Sequence, residues 1–440
     1  MRTDDRPAGD AELLDPVLGL RHKGYPRTQP PRRRSEVGVA GWNVLAGDLP
    51  LPLAVLKREA LEHNLAWMQA QVRQWGVELV PHGKTTMSPQ LFQRQLDAGA
   101  WGLTLANVTQ ASIGVAAGAR RVLIANQVVG DDELAGLQQL LCTHEGLRIV
   151  FLVDSVAQLV LIEQWFARHA RARPFEVLLE LGLDGARTGC RTHAQAVELA
   201  ARLRASPAVR LVGIETYEGQ GAVGDSTADR AYTDTLMDRV DAVAREAVAQ
   251  GWFECDEVLV SAGGSAIYDI VSARLTPAIG KPVRGLLRSG CYVTHDHGTY
   301  QRYQVAIDAR LGCDCGDSLR AAMEVWALVQ SRPEPGLAIL SVGKRDISFD
   351  LSMPVPIARA ARGQPNAGPV PAGWRITALN DQHAYLRWDA PEGIDPAEAP
   401  PVGERIGLGI SHPCTTFDKW HWMPVVENDY RVSDAVVMHF

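Results

Sequence analysis

No stretch of this chain is apolar for long enough to cross a bilayer, so a membrane partner is not expected. Its opening residues, MRTDDRPAGDAELLDP, hold no apolar core of the kind a secretion signal needs. No block of basic residues stands out, and the net charge is -7, so a nucleic-acid partner is not expected either. The seven cysteines follow no disulfide framework, and their odd count suits a reducing cytoplasm. No repeat of solenoid length is visible. What remains is ordinary globular material, 46% hydrophobic and 22% charged over 440 residues. That length allows one large domain with a smaller one, or two to three domains in all.

The apolar pattern divides the chain. Residues 1–50 read as an irregular, Arg- and Pro-rich lead (YPRTQPPRRRSE). From 51 to 299, short continuous apolar runs alternate with amphipathic stretches. Strands are expected at 77–82, 102–106, 121–126, 148–153, 176–182, 210–216, 257–261 and 283–288. Runs of this kind suit parallel strands buried on both faces. Eight such units predict a (β/α)8 barrel of TIM type, α/β in class, whose active residues sit at strand C-termini. Beyond 300 the pattern changes. QVAIDARL, AAMEVWALVQS, LAILSVG, RITALNDQHAYLRW and ERIGLGISHPC read as strands between Gly, Pro and Asp turns, which predicts a C-terminal all-β domain over 300–440. Residues 360–372 read as a Gly/Pro loop.

Chemistry-bearing residues fall at the expected strand ends. Lys84 follows the first strand in PHGKTTMSP, just ahead of a helix start at Ser88-Pro89. A strand-end lysine is ordinarily a surface residue that snorkels or pairs with an acid. A partly desolvated amine is instead a Schiff-base nucleophile. After the seventh strand, Gly263-Gly264-Ser265 in LVSAGGSAIYD is either a tight turn or an anion cradle of backbone N–H groups. Gly290-Cys291 follows the eighth strand, and the loops after barrel strands seven and eight are the usual phosphate site. A lysine facing a phosphate cradle points to pyridoxal 5'-phosphate. Arg187, in LGLDGARTGC, is a solvent arginine or a charged donor to the cofactor's phenolic oxygen. Tyr217, in GIETYEGQ, either flanks the ring or fills the rim. Glu215, Tyr217 and Glu218 are all candidates for the pyridine-nitrogen partner. In GISHPCTTFDKW, His412 and Cys414 would share one face of an extended strand, and imidazole with thiolate suits zinc. His295 and His297 of THDHG are read as a further ligand, a base or surface residues.

Taken in order, PHGKT, DGARTG, TYEG, SAGGS and SHPCTTFDKW resemble the fold-type III pyridoxal-phosphate family that includes alanine racemase. The match is closest to its metal-dependent branch of D-serine dehydratases and D-threonine aldolases, and it covers most of residues 50–425. The resemblance implies Lys84 as the lysine that carries the cofactor and Arg187 near the phenolic oxygen. It places Gly263, Gly264, Ser265, Gly290 and Cys291 around the phosphate. It puts His412 and Cys414 on a divalent metal, zinc before manganese, and implies a homodimer with the active site near its interface. Two positions depart from the pattern: Val80 stands where an Arg is frequent, and Thr86 where a His is frequent. The implied activity is dehydration of a D-3-hydroxy amino acid to a 2-oxo acid and ammonia. Retro-aldol cleavage to glycine and an aldehyde, with His295 or His297 as base, is the alternative. A racemase, which needs a second acid on the opposite face, and a non-catalytic cofactor-binding protein are further ones.

Overall fold

The structure is a computed structural model and describes residues 8–219, 221–313 and 317–440. Eight parallel strands form one sheet: Glu78–Leu79, Leu103–Leu105, Arg121–Gln127, Arg148–Val153, Phe175–Leu181, Val209–Thr216, Val258–Ala262 and Val283–Leu287. They are taken here as barrel strands one to eight, and each falls on an expected run. Strand one pairs with strand eight, Leu79 opposite Leu287. The ring then closes on strand two. His82 bridges Thr104, and the Thr104 N–H donates to the Pro81 carbonyl at 2.9 Å.

The runs are continuous rather than alternating because both faces are covered. Val80, Leu123, Val150, Leu152, Leu178, Val212, Leu259 and Leu286 fill the barrel interior as a cluster of their own. The opposite faces of the strands pack on the helices in a second core that runs on into the C-terminal domain. Each of the fully buried aliphatic side chains contributes about 1.5–3 kcal/mol. Helix starts are set locally. Asn107, Ser155, Thr192 and Asp225 each cap a helix by accepting from backbone N–H groups, and Thr192 with Gln195 forms a capping box.

The second domain is an antiparallel sheet, and it draws on both halves of the chain. Strand Leu53–Lys57, expected inside the barrel region, instead pairs with Met323–Glu334 and with Trp422–Val426. Its burial pattern explains the choice, since Leu53, Ala54, Val55 and Leu56 are all fully buried and need a sheet on both sides. The helix Arg58–Trp75 then crosses from this domain to strand one. The QVAIDARL segment, read as a strand, lies in the helix Thr299–Leu311, so residue 300 falls at a helix start. Its buried face is Gln304 and Ile307, three apart, with Leu311 half-buried four residues on and Val305 exposed, a helical rather than an alternating pattern.

The described part of the N-terminal lead is ordered, against expectation. It contains a helix, Ala8–Leu14, and a 3-10 turn, Arg34–Val39. Lys23 holds it to the β domain, with Nζ 3.7 Å from the Trp420 ring centroid and 3.1 Å from Asp346 Oδ1. Residues 1–7 of the lead lie outside the described residues. Among the described residues no helix is long and apolar enough to cross a membrane.

Candidate active site

Strand one ends where Pro81 removes a donor. The His82 N–H donates across to the Arg288 carbonyl, and Gly83–Thr85 then turns as a short 3-10 helix. Gly83 has no space for a side chain, since a Cβ there would meet Phe92 at 2.7 Å. This tight turn presents Lys84 to a cavity of about 340 Å³. The cavity also gathers Arg187, Tyr217, Gly263, Gly264, Ser265, Gly290, Cys291, His412 and Cys414, while Glu215, Glu218, His295 and His297 stay off its wall. Helix Pro89–Asp97 starts at Ser88-Pro89 as expected.

The Lys84 surface is open, but it opens onto the cavity rather than onto bulk water. Depth therefore governs its protonation. Burial lowers its pKa, helped by the positive charges of Arg187 and Arg288 and opposed by the thiols of Cys414 and Cys291. Arg187 lies over Tyr217, its Cζ 5.1 Å from the ring centroid. Tyr217 in turn abuts Gly264, where a Cβ would come within 3.3 Å of its ring.

Two expectations about nearby groups are corrected. The N–H groups of Gly263 and Gly264 do not face the cavity as a free cradle; both donate to the Glu218 carboxyl, at 2.9 and 2.6 Å. Glu215 is taken as well, in a buried ion pair with Arg288. Burial pushes the Glu215 carboxyl up to about 8 even with that guanidinium beside it. Neither carboxyl is left for a pyridine nitrogen. Arg288 itself lines the cavity with its Nε buried and unpartnered.

The opposite wall comes from the β domain. His412 and Cys414 do not share an extended strand: the strand ends at Gly409, and Cys414 opens a short helix to Phe417. They adjoin all the same, through a hydrogen bond from the imidazole to the thiol. His412 Nδ1 meets Asp350 Oδ2 at 2.6 Å, and Thr415 holds the other Asp350 oxygen at 2.7 Å. Burial works to lower His412, but Cys414 and Asp350 outweigh it and raise the imidazole to about 9. Cys291 Sγ lies 3.8 Å from Cys414 Sγ. Of this pair, Cys414 is the acidic member. Its hydrogen bonds from Cys291 and His412 draw it well below the usual thiol range, while Cys291 is raised.

His295 and His297 are neither surface residues nor part of the cavity lining. His295 is buried and His297 half-buried, and desolvation lowers each to about 4.

The alanine racemase, N-terminal domain family model matches residues 56–275, half of the chain, and "Putative serine dehydratase domain" matches residues 322–426. The chain belongs to the fold-type III pyridoxal-phosphate enzymes, in the D-serine dehydratase and D-threonine aldolase branch. It is 29% identical to a D-threonine aldolase of Arthrobacter sp over 86% of this chain and 89% of that protein. It is 27% identical to the D-threo-3-hydroxyaspartate dehydratase of Delftia sp. (strain HT23), over 84% of this chain and 92% of that one. The D-threonine aldolase structure from Filomicrobium marinum superimposes with a TM-score of 0.73 at 27% identity, covering 90% of this chain and 96% of the other.

The residues of this fold-type III site fit a pyridoxal phosphate. The Nε of Arg288 and the Nδ1 of His82 are buried donors or acceptors without partners. Gly290 packs its backbone tightly on the Lys84 turn, since a Cβ there would meet the His82 carbonyl at 2.5 Å, and it lines the cavity with bare backbone. His412 and Cys414 fit a borderline metal, an imidazole with its other nitrogen on a carboxylate beside an acidic thiol. Among the described residues no third His, Cys, Asp or Glu completes a metal-holding group with them, so water and substrate would fill the remaining positions. The reading of the sequence missed Arg288, Tyr300, His82 and Asn126 on the cavity wall, and Asp350 behind it. Arg288 carried a signal, a charged residue at the end of an apolar strand. Asp350 carried none.

Proposed function

We propose that this chain is a pyridoxal-phosphate- and divalent-metal-dependent D-3-hydroxy amino acid dehydratase, an ammonia-lyase that turns D-serine or D-threonine into a 2-oxo acid and ammonia. The observation that carries it is the meeting of two chemistries in one cavity, the Lys84 amine from the barrel and the His412–Cys414 pair from the β domain. Pyridoxal phosphate, when bound, supplies an electron sink that acidifies the Cα–H bond. A divalent ion on His412 and Cys414 supplies Lewis acidity toward the β-oxygen, zinc suiting this pair before manganese.

The chain's own residues do the rest. Lys84, with its pKa lowered by burial, gives up its proton readily and takes the one from Cα. Arg187 stands on the cavity wall as the donor to the phenolic oxygen, and Tyr217 as the flank of the ring. Ser265, Gly290 and Cys291 offer backbone N–H groups to the phosphate. Asp350 fixes the His412 ring by taking its Nδ1, which turns Nε2 toward Cys414.

Retro-aldol cleavage is the second reading, and the Arthrobacter relative favours it by its name. It needs a base for the β-hydroxyl proton. His295 and His297, the expected bases, do not line the cavity. The thiolate at Cys414, in the His-x-Cys arrangement that resembles the dehydratases, supports elimination. The working form is proposed to be a homodimer in a reducing cytoplasm. Phe349, Leu351, Met353 and Val355 form an exposed apolar strip, with Leu351 on the cavity wall, which supports a second copy there.

The test is to incubate the purified enzyme with D-threonine and measure both product pairs. The expected products are 2-oxobutyrate and ammonia, with L-threonine turned over poorly. Glycine and acetaldehyde as main products would establish an aldolase, and conversion to L-allo-threonine alone, the product of inversion at Cα, a racemase.

A further inference from the structure

Parallel register sets Glu215 of barrel strand six opposite Ser261 of strand seven, so Glu218 stands level with Gly264 in the next loop. Gly263 has a φ of +115°, a conformation that turns successive N–H groups toward one side. Such a concavity binds anions, and here the chain fills it with its own carboxyl. Glu218 Oε2 accepts from Gly263 at 2.9 Å and Oε1 from Gly264 at 2.6 Å. Glu218 is 1% exposed and does not line the cavity, so it grips the loop from behind. The grip extends further. The Ser289 hydroxyl donates to the Gly264 carbonyl at 2.6 Å and ties this loop to the one after strand eight. Ser265 follows the first loop's clamp, and Gly290 and Cys291 follow Ser289. All three face the cavity.

We infer that Glu218 is a positioning residue for phosphate recognition. It occupies the two glycine N–H groups and thereby fixes those of Ser265, Gly290 and Cys291 as the seat for a phosphate monoester. The inference rests on the pyridoxal-phosphate reading above and adds a residue to it. Its signature is selectivity for the phosphate, since its hydrogen bonds go to the two glycine N–H groups, and the pyridoxal titration reads any effect passed to the ring through its chain neighbour Tyr217.

The experiment titrates cofactor-free protein with pyridoxal phosphate and, separately, with pyridoxal. Absorbance of the lysine adduct and tryptophan fluorescence give both dissociation constants. Glu218→Gln keeps the shape but offers one acceptor oxygen, and its amide donors oppose the second glycine N–H. The ratio of the pyridoxal to the pyridoxal-phosphate constant is expected to fall about tenfold, with pyridoxal affinity unchanged. An unchanged or increased ratio in a variant that melts like the wild type would overturn the inference, an increase meaning that the carboxyl competes with phosphate. Were Glu218→Gln not to fold, Ser289→Ala takes its place. It is expected to lower the same ratio about threefold, and no change would overturn the inference as well. A wild-type protein that binds pyridoxal as tightly as its phosphate would overturn the cofactor reading itself, a result separate from a failure in the variants.

Discussion

The two walls of the cavity are built differently. The barrel wall is made of consecutive strand ends. Lys84, Arg187, Tyr217, Ser265 and Gly290 each follow a strand of one closed sheet, within a few residues of its end. Backbone hydrogen bonds between neighbouring strands set their positions, as in the Val80 N–H donating to Leu287 and His82 to Arg288. The β-domain wall is made of side-chain contacts between loops far apart in sequence. His412 is set by Asp350, sixty-two residues away, and Cys414 by Cys291, at a separation of 123. One wall is held by the backbone ladder and tolerates side-chain change away from its tips. The other depends on a few polar side chains, each of which can be removed singly.

Breaking the barrel wall at its reactive tip gives the largest expected effect. Lys84→Ala should lower turnover by about a thousandfold or more, because it removes both the covalent anchor and the proton acceptor. The fold should survive, since the Gly83–Thr85 turn is held by backbone bonds such as Thr86 N–H to Gly83. Borohydride reduction of the wild-type holoenzyme should fix the cofactor on a peptide containing Lys84. Label on a different lysine would sink the assignment.

The matching change on the other wall is His412→Ala, or removal of metal with a chelator. Turnover should fall about a hundredfold or more, while cofactor absorbance at Lys84 and the thermal melt stay close to wild type. Full activity in His412→Ala would show that the two walls do not cooperate in the reaction.

The same contrast explains what was legible in the sequence. Barrel strands buried on both faces leave continuous apolar runs, so all eight were readable, and each strand end pointed to its loop. The β domain was legible only as a class. Its strand Leu53–Lys57 lies next to the barrel in sequence and belongs to the far sheet in space, and no local pattern marks that choice. His412 and Cys414 were found through an argument from extended geometry that the chain does not adopt. Their partner Asp350, in an unremarkable SFDLS segment, owes its place to the folding of the domain. Glu218 was visible as a charge near the site, but only the register between strands six and seven shows that it faces two glycine amides.

Asp350→Asn sharpens the comparison without deleting a ligand. The amide keeps the shape and removes the charge that holds the His412 ring. Metal affinity, read by competition with a chromophoric chelator, should weaken about 10–100-fold, and turnover at saturating metal should recover in large part. Affinity equal to wild type would mean that Cys414 and the surrounding loop suffice to orient the imidazole.

The smallest effect concerns the segment between the walls, THDHG. Burial lowers His295 and His297 from 6.5 to about 4 and raises Asp296 from 3.8 to about 6. For the histidines the folded pKa is the lower one. The unfolded chain takes up protons first, and their stabilising contribution, complete above about pH 6.5, is lost as pH falls toward 4. Asp296 acts in the opposite sense, because its folded pKa is the higher one. Its burial penalty is present above about pH 6 and is relieved as pH falls through the same window. Two groups therefore oppose one, and stability should drop by about 3 kcal/mol between pH 7 and 4.5. Denaturant midpoints measured across that range in wild type and in His295→Asn check the balance. With one histidine removed, the remaining His297 and Asp296 nearly cancel, and the variant's midpoint should change less with acidification than the wild type's. An equal slope in both proteins would place the acid sensitivity outside this segment and leave the two walls joined by something other than a neutral pair of imidazoles.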